Sequence, residues 1–381
     1  MSVVVVNTWL VRSYTHQYEI KELLPKVPLK IANARVSDKL YFDILEHPVY
    51  GIIHGSMDPF GLVSFWVESD ASDLEGFSLA FVREVEDLFV EKIMKNIQKV
   101  SYAQIKENVM PLSYHRIILS KTFRPENVPE KKVGQLSVYF DDQKVYSTES
   151  AVYVCGSVEQ SLLKVLNYFS FIVLAGKYVG RMVLTMAGFY NRAGDIVKEI
   201  DVMEEGKYSK EHLTTLRGSI IKTDFIRREC SETYGKIQQA TKNFEHKEEA
   251  YLKEKFEGDE TAIARYLNVN MAFERLKCDS DYLVPLWRDV LIKNLENLSS
   301  AVNARISFQE SLESKKEQKE VRLLRHITVL SLAAAVIKLG STPTFKMEDL
   351  ATYTLLAIVF SVLIVVIVEY FSGGLSFRRK H

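Results

Sequence analysis

Residues 350–368, "LATYTLLAIVFSVLIVVIV", carry no formal charge, and this stretch constrains the fold of the chain more than any other feature. At 1.5 Å per residue it forms a helix of about 28 Å, which matches a bilayer core of roughly 30 Å. Upstream, residues 327–339, "ITVLSLAAAVIKL", are also apolar. That stretch is only about 20 Å long by the same rise, a marginal span. Charge arbitrates between a single anchor and a hairpin. Lys315, Lys316, Lys319, Arg322 and Arg325 precede the short stretch, and Arg378, Arg379 and Lys380 follow the long one. The intervening "GSTPTFKMEDLATY" has one Lys against Glu348 and Asp349. Basic flanks stay on the cytoplasmic side, so the chain is expected to cross twice with both termini cytoplasmic. The expected hairpin covers 327–371, with legs at about 327–342 and 350–370, and a basic cytosolic tail follows at 372–381.

A short first leg rich in small residues suits a helix that does not face lipid on every side. Thr328, Ser331 and Ala335 recur at three- and four-residue steps, and Thr342 would extend that face of a pore. Close packing through Ala333, Ala334 and Ala335 is the alternative. Lys338 falls within about 20° of Ser331 around a helix. There it either rings the pore and repels divalent cations, or snorkels to the outer headgroups.

The remainder reads as folded throughout. Hydrophobic residues make up 47% of the chain, and Lys+Arg and Asp+Glu both number 49, which leaves no charge bias toward nucleic acid. The three cysteines, Cys155, Cys230 and Cys278, have no metal-ligand spacing and read as ordinary thiols. "MSVVVVNTWLVRSY" reads as a strand rather than a signal peptide.

Residues 1–155 are expected to form a cytosolic α/β domain. Its strands are "SVVVVNTWLV", "KLYFDIL", "YGIIHGS", "FGLVSFWVES", "YHRIILSKTF", "GQLSVYF" and "SAVYVCG", with one helix over 75–100. Residues 156–281 read as a helical section, in which the apolar "FSFIVLAG" belongs to a core helix, being cut by Lys177 and Arg181. Residues 282–326 read as one long stalk helix. Leu291, Leu295, Leu298, Val302 and Ile306 form its apolar stripe, and Arg305 and Gln309 interrupt the seam. The fold class is therefore α+β: an N-terminal α/β domain, then helices, then one long helix continuing into a transmembrane hairpin.

This layout resembles the CorA family of magnesium channels. In that family the outer loop opens with Gly-Met-Asn and continues to Met-Pro-Glu-Leu. Here the stretch is "GSTPTFKMEDL": Gly340 takes the place of the glycine, and Met347, Asp349 and Leu350 echo the later motif. "RLLRHITVLSL" is similar to the family's entry into its first span. Ser341 and Thr342 stand where the family has Met and Asn, so the asparagine ring is absent and a hydroxyl ring from Thr342 replaces it. The resemblance implies a homo-oligomer, as a pentamer, in contact with membrane lipid. It also implies Mg2+ or another divalent cation as the transported or regulatory ion, with Glu348 and Asp349 concentrating cations at the mouth.

No enzyme signature is present: the chain lacks GxGxxG, GxxxxGK[ST], HExxH and GxSxG. Asp70, Asp73 and Glu75, and Asp201, Glu204 and Glu205, are candidates for a regulatory cation and otherwise read as solvated loops. The competing function is a membrane-anchored scaffold of the same fold that does not conduct, which Lys338 and the missing Met-Asn pair favour.

Overall fold

The computed structural model describes residues 2–9, 17–94, 113–122, 137–140, 143–148, 150–156, 159, 161–201 and 210–340. Residues 18–19, 94, 137–140, 143–144 and 330–340 are described by backbone alone. The chain divides into two compact units, Met1–Asp195 with Thr223–Asn297, and Ile196–Lys222 with Leu298–His381.

The first unit is built on a nine-stranded sheet in the order β2-β3-β4-β5-β1-β6-β9-β8-β7. The strands are β1 Ser2–Trp9, β2 Ile31–Val36, β3 Leu40–His47, β4 Gly51–Met57 and β5 Leu62–Ser69, then β6 Tyr114–Ser120, β7 Ser137–Phe140, β8 Gln143–Ser147 and β9 Ala151–Cys155. Every pairing is antiparallel except β6 with β9.

β1 lies between β5 and β6, and all eight of its residues are buried. Both of its faces are covered, which is why it reads as an unbroken apolar run rather than an alternation. Val4 and Val6 join the core formed with Phe42, Ile44, Ile53, Phe65 and Tyr153 under helix α2 (Leu74–Glu86), which contributes Phe81 and Val85. On the opposite face Trp9 meets Phe171, Tyr178 and Phe244 at ring-centroid distances of 5.3, 5.5 and 5.3 Å.

A short helix α1, Gln17–Leu23, precedes β2. Beyond the sheet come α3 Leu162–Asp201, α4 Lys210–Lys253, α5 Asp259–Tyr266, α6 Val269–Pro285 and α7 Lys293–Gly340. Helix α3, 40 residues long, is long and apolar enough to cross a membrane. Its apolar side is nevertheless packed inside the first unit, with Leu162, Val165, Leu166, Phe171, Leu174 and Ala175 almost wholly buried.

The structure differs from the sequence reading in three places. Strands β2 and β8 were not anticipated. In β2, Asn33 has φ 54° and the register shifts between Ala32 and Arg35, so this bulged edge strand shows no clean alternation. The helix expected over 75–100 is α2 followed by wider π-type winding over Asp87–Met94, and residues 95–100 lie outside the described residues. The stalk expected over 282–326 is helical throughout, but its winding changes at Pro285. There α6 ends, the winding widens over Leu286–Ile292, and α7 begins at Lys293. Proline lacks the N–H that would bond to residue 281, so the regular ladder breaks at this position.

In the second unit Ile196, Ile200, Leu213, Leu216 and Val302 are buried. One of the two polar residues expected to interrupt the seam of α7 has a visible structural contact. Gln309 is buried, and Arg305 donates from Nη1 to the carbonyl of Ile200 at 2.8 Å. A cation on the last carbonyls of α3 satisfies groups that have no partner within that helix.

Candidate pore helix and buried polar networks

Helix α7 brings most of the predicted first-leg residues into one element. It runs without interruption through Thr328, Ser331, Ala335 and Lys338 as far as Gly340, the last described residue. At 100° per residue these first four positions fall within an arc of about 80°. Thr328 donates its hydroxyl to the Leu324 carbonyl one turn back at 2.8 Å. Ser341, Thr342, Glu348 and Asp349 lie outside the described residues, as does the second leg, 350–370.

Below that segment the helix surface is open. Val321, Leu323, Leu324 and Ile327 are 45%, 62%, 61% and 51% exposed. Apolar side chains at three- and four-residue spacing on a bare helix are the kind of surface that another chain or a bilayer covers.

The carboxylates named as regulatory candidates have other partners. Asp73 caps α2, its Oδ1 accepting from the Gly76 N–H at 2.9 Å. Glu75 accepts from Arg116 Nη1 at 3.0 Å through Oε1 and from the Tyr153 hydroxyl at 2.7 Å through Oε2. Arg116 also donates to Ser78 Oγ at 2.6 Å. Burial, together with the hydrogen bond to Glu75, pushes the Tyr153 phenol well above its ordinary range. Asp70 is exposed just beyond β5, and Asp201 faces Arg305 at 3.7 Å. Glu204 and Glu205 lie outside the described residues. Among the described residues no group of three or more His, Cys, Asp or Glu is placed to hold a metal ion.

Two buried networks were not anticipated from the sequence. Lys247 of α4 pairs with Asp58, both side chains being almost wholly buried at 6% and 4% exposure. Its ammonium lies 5.1, 4.7 and 5.6 Å from the ring centres of Phe60, Tyr168 and Phe171. Asp58 Oδ1 also accepts from the N–H groups of Phe60 and Leu62, each at 2.9 Å. Burial, and then the charge of Lys247, lowers the affinity of Lys39 for its proton.

The second network lies between the sheet and α3. His115 Nδ1 is 2.7 Å from Ser170 Oγ, and Asn7 donates to Asn167 Oδ1 at 3.0 Å. Asn7 and His115 are direct partners across β1 and β6. Burial, followed by the charges of Lys177 and Arg116, pushes the His115 imidazole down to about 3, so it is neutral at physiological pH. The available signal was "YHRIILS", in which two polar residues interrupt a strand that is otherwise apolar.

The chain matches no family model, and it matches none of the curated proteins at a significant level.

Proposed function

We propose that this chain is a CorA-like, homo-oligomeric membrane channel or transporter for divalent cations such as Mg2+, with its pore lined by the first apolar segment of α7. The observation that carries the reading is the continuity of α7. One 48-residue helix runs from the buried seam at Leu295 and Val302 into residues 327–340 with no break between the folded part and the apolar segment. A helix continuous in this way couples what happens in the folded part to the membrane end mechanically, which gating by cytosolic cations requires.

The charge pattern around the two apolar stretches supports a hairpin with both termini in the cytoplasm. Copies of the first leg would then surround a central axis. Thr328, Ser331, Ala335 and Thr342 would line it, with Gly340, Ser341, Glu348 and Asp349 at its mouth. Assembly as a pentamer and contact with membrane lipid belong to the same reading, which gives no role to nucleic acid and involves no catalysis. The scaffold alternative rests on Lys338, which sits within the same arc and would oppose cation passage.

The test is the sidedness of Thr344→Cys and Ser376→Cys, probed with an impermeant thiol reagent on intact cells. Labelling of position 344 alone is the expected result. The exposed native Cys278 should react only after permeabilisation, which gives an internal control. Labelling of position 376 alone would make the tail a single anchor and end the pore reading.

A further inference from the structure

Three cations, Lys315, Lys319 and Arg322, and the imidazole of His326 line one side of α7 immediately before its apolar segment. At 100° per residue they fall within an arc of about 60°. All four are exposed, and among the described residues none of their side chains forms a hydrogen bond or an ion pair. Neighbouring Lys316 is different, since it lies on another side of the helix and faces Glu320 at 3.9 Å. The stripe is also centred about 170° around the helix from Leu324, about 150° from Thr328 and about 130° from Val321. If that apolar side turns toward the other copies in an assembly, the basic stripe turns outward.

We propose that this stripe binds the phosphate groups of anionic phospholipids in the cytoplasmic leaflet. The inference rests on the membrane reading above and adds a lipid class and the residues that select it. Depth supports it. Counting back from Ile327, Arg322 lies about 7 Å and Lys319 about 12 Å below the start of the apolar segment, while the headgroup layer is roughly 5–8 Å thick. Arg322 therefore sits among the headgroups, and the long side chain of Lys319 reaches them. Lys315 lies within about one further Debye length of roughly 8 Å. Guanidinium and ammonium groups on a rigid helix meet phosphate as bidentate and point-charge partners respectively. The last acidic residue before the apolar segment, Glu320, is not on the stripe, so no carboxylate competes there.

The experiment uses the full chain in neutral detergent, with bound lipid measured by native mass spectrometry against added phosphatidylglycerol and, separately, phosphatidylcholine. Each cation near an anionic surface contributes roughly fivefold in affinity. Lys319→Gln with Arg322→Gln should therefore weaken phosphatidylglycerol binding by about tenfold or more and leave phosphatidylcholine unchanged, while Lys316→Gln changes neither. Equal phosphatidylglycerol binding by the double variant and the wild type overturns the proposal. So does displacement of the lipid by millimolar inorganic phosphate, which would make the stripe a site for soluble anions. A change of oligomeric state with lipid binding unaltered would assign the stripe to a contact between copies and also overturns it. Alkaline carbonate extraction separates the two levels. If the wild type itself leaves the membrane, the membrane reading fails, whereas an inserted chain that binds lipid without regard to charge sinks only this inference.

Discussion

Lys247→Met should destabilise the first unit severely, and Asp58→Asn should rescue it. Methionine approximates the length of the lysine stem and suits the three rings around it, so packing is largely kept. What the substitution leaves behind is the Asp58 carboxylate, buried at 4% exposure, which has lost its direct ion pair and keeps two backbone N–H donors and the more distant charge of Lys39. Removing one member of a buried pair costs about 3–5 kcal/mol, because the remaining charge is neither solvated nor paired. At about 2–4 °C per kcal/mol for a domain of 150–250 residues, the melting temperature should fall by roughly 6–20 °C.

The double variant has no charge to strand, and the side-chain amide oxygen introduced by Asp58→Asn can still accept the N–H groups of Phe60 and Leu62. At least half of the loss should return. Thermal unfolding of the full chain in detergent, followed by tryptophan fluorescence, measures this directly, since Trp9 donates to the Phe60 carbonyl beside the site at 2.9 Å. A drop of less than about 2 °C in the single variant, or a double variant no better than the single, would refute the argument that the unpaired carboxylate carries the cost.

Stability should also fall on acidification through His115. Its folded-state value lies near 3, well below the ordinary 6.5, so between those limits the unfolded chain takes up a proton that the native chain excludes. The contribution is intact above pH 6.5 and is lost as pH falls toward 3, at about 1.4 kcal/mol per pH unit. Denaturation midpoints of wild type and His115→Gln between about pH 7 and 5 should therefore diverge in slope, and parallel curves would remove His115 from the account. Asp73→Ala should cost about 1 kcal/mol by loss of the α2 cap and Asp73→Asn almost nothing. If instead added Mg2+ stabilises the wild type but not Asp73→Ala, Asp73 is a cation ligand and not merely a cap. Lys338→Ala should raise divalent flux in reconstituted vesicles by removing a ring of like charge, and unchanged flux would take Lys338 off the pore face.

Patterns that repeat along the chain were legible in the sequence because local geometry dictates them. The seven recognised strands alternate or run apolar according to how many faces are covered, and β1 is the clearest example. The apolar segments at 327–339 and 350–368, with their flanking charges, needed only length and sign. Pro285 was also there to be read, and the change of winding it causes is as local as the others.

Tertiary structure decided what depends on partners distant in sequence. Lys247 and Asp58 lie 189 positions apart, and nothing near either of them announces the other. Glu75 looked like one of several loop carboxylates until β6 and β9 brought Arg116 and Tyr153 to it. Arg305 and Gln309 looked like flaws in an apolar stripe, and the carbonyl of Ile200 gives the first of them a purpose. Periodicity is a property of one element, whereas burying a charge is tolerated only where another element supplies its counterpart, and the choice of that element belongs to the fold.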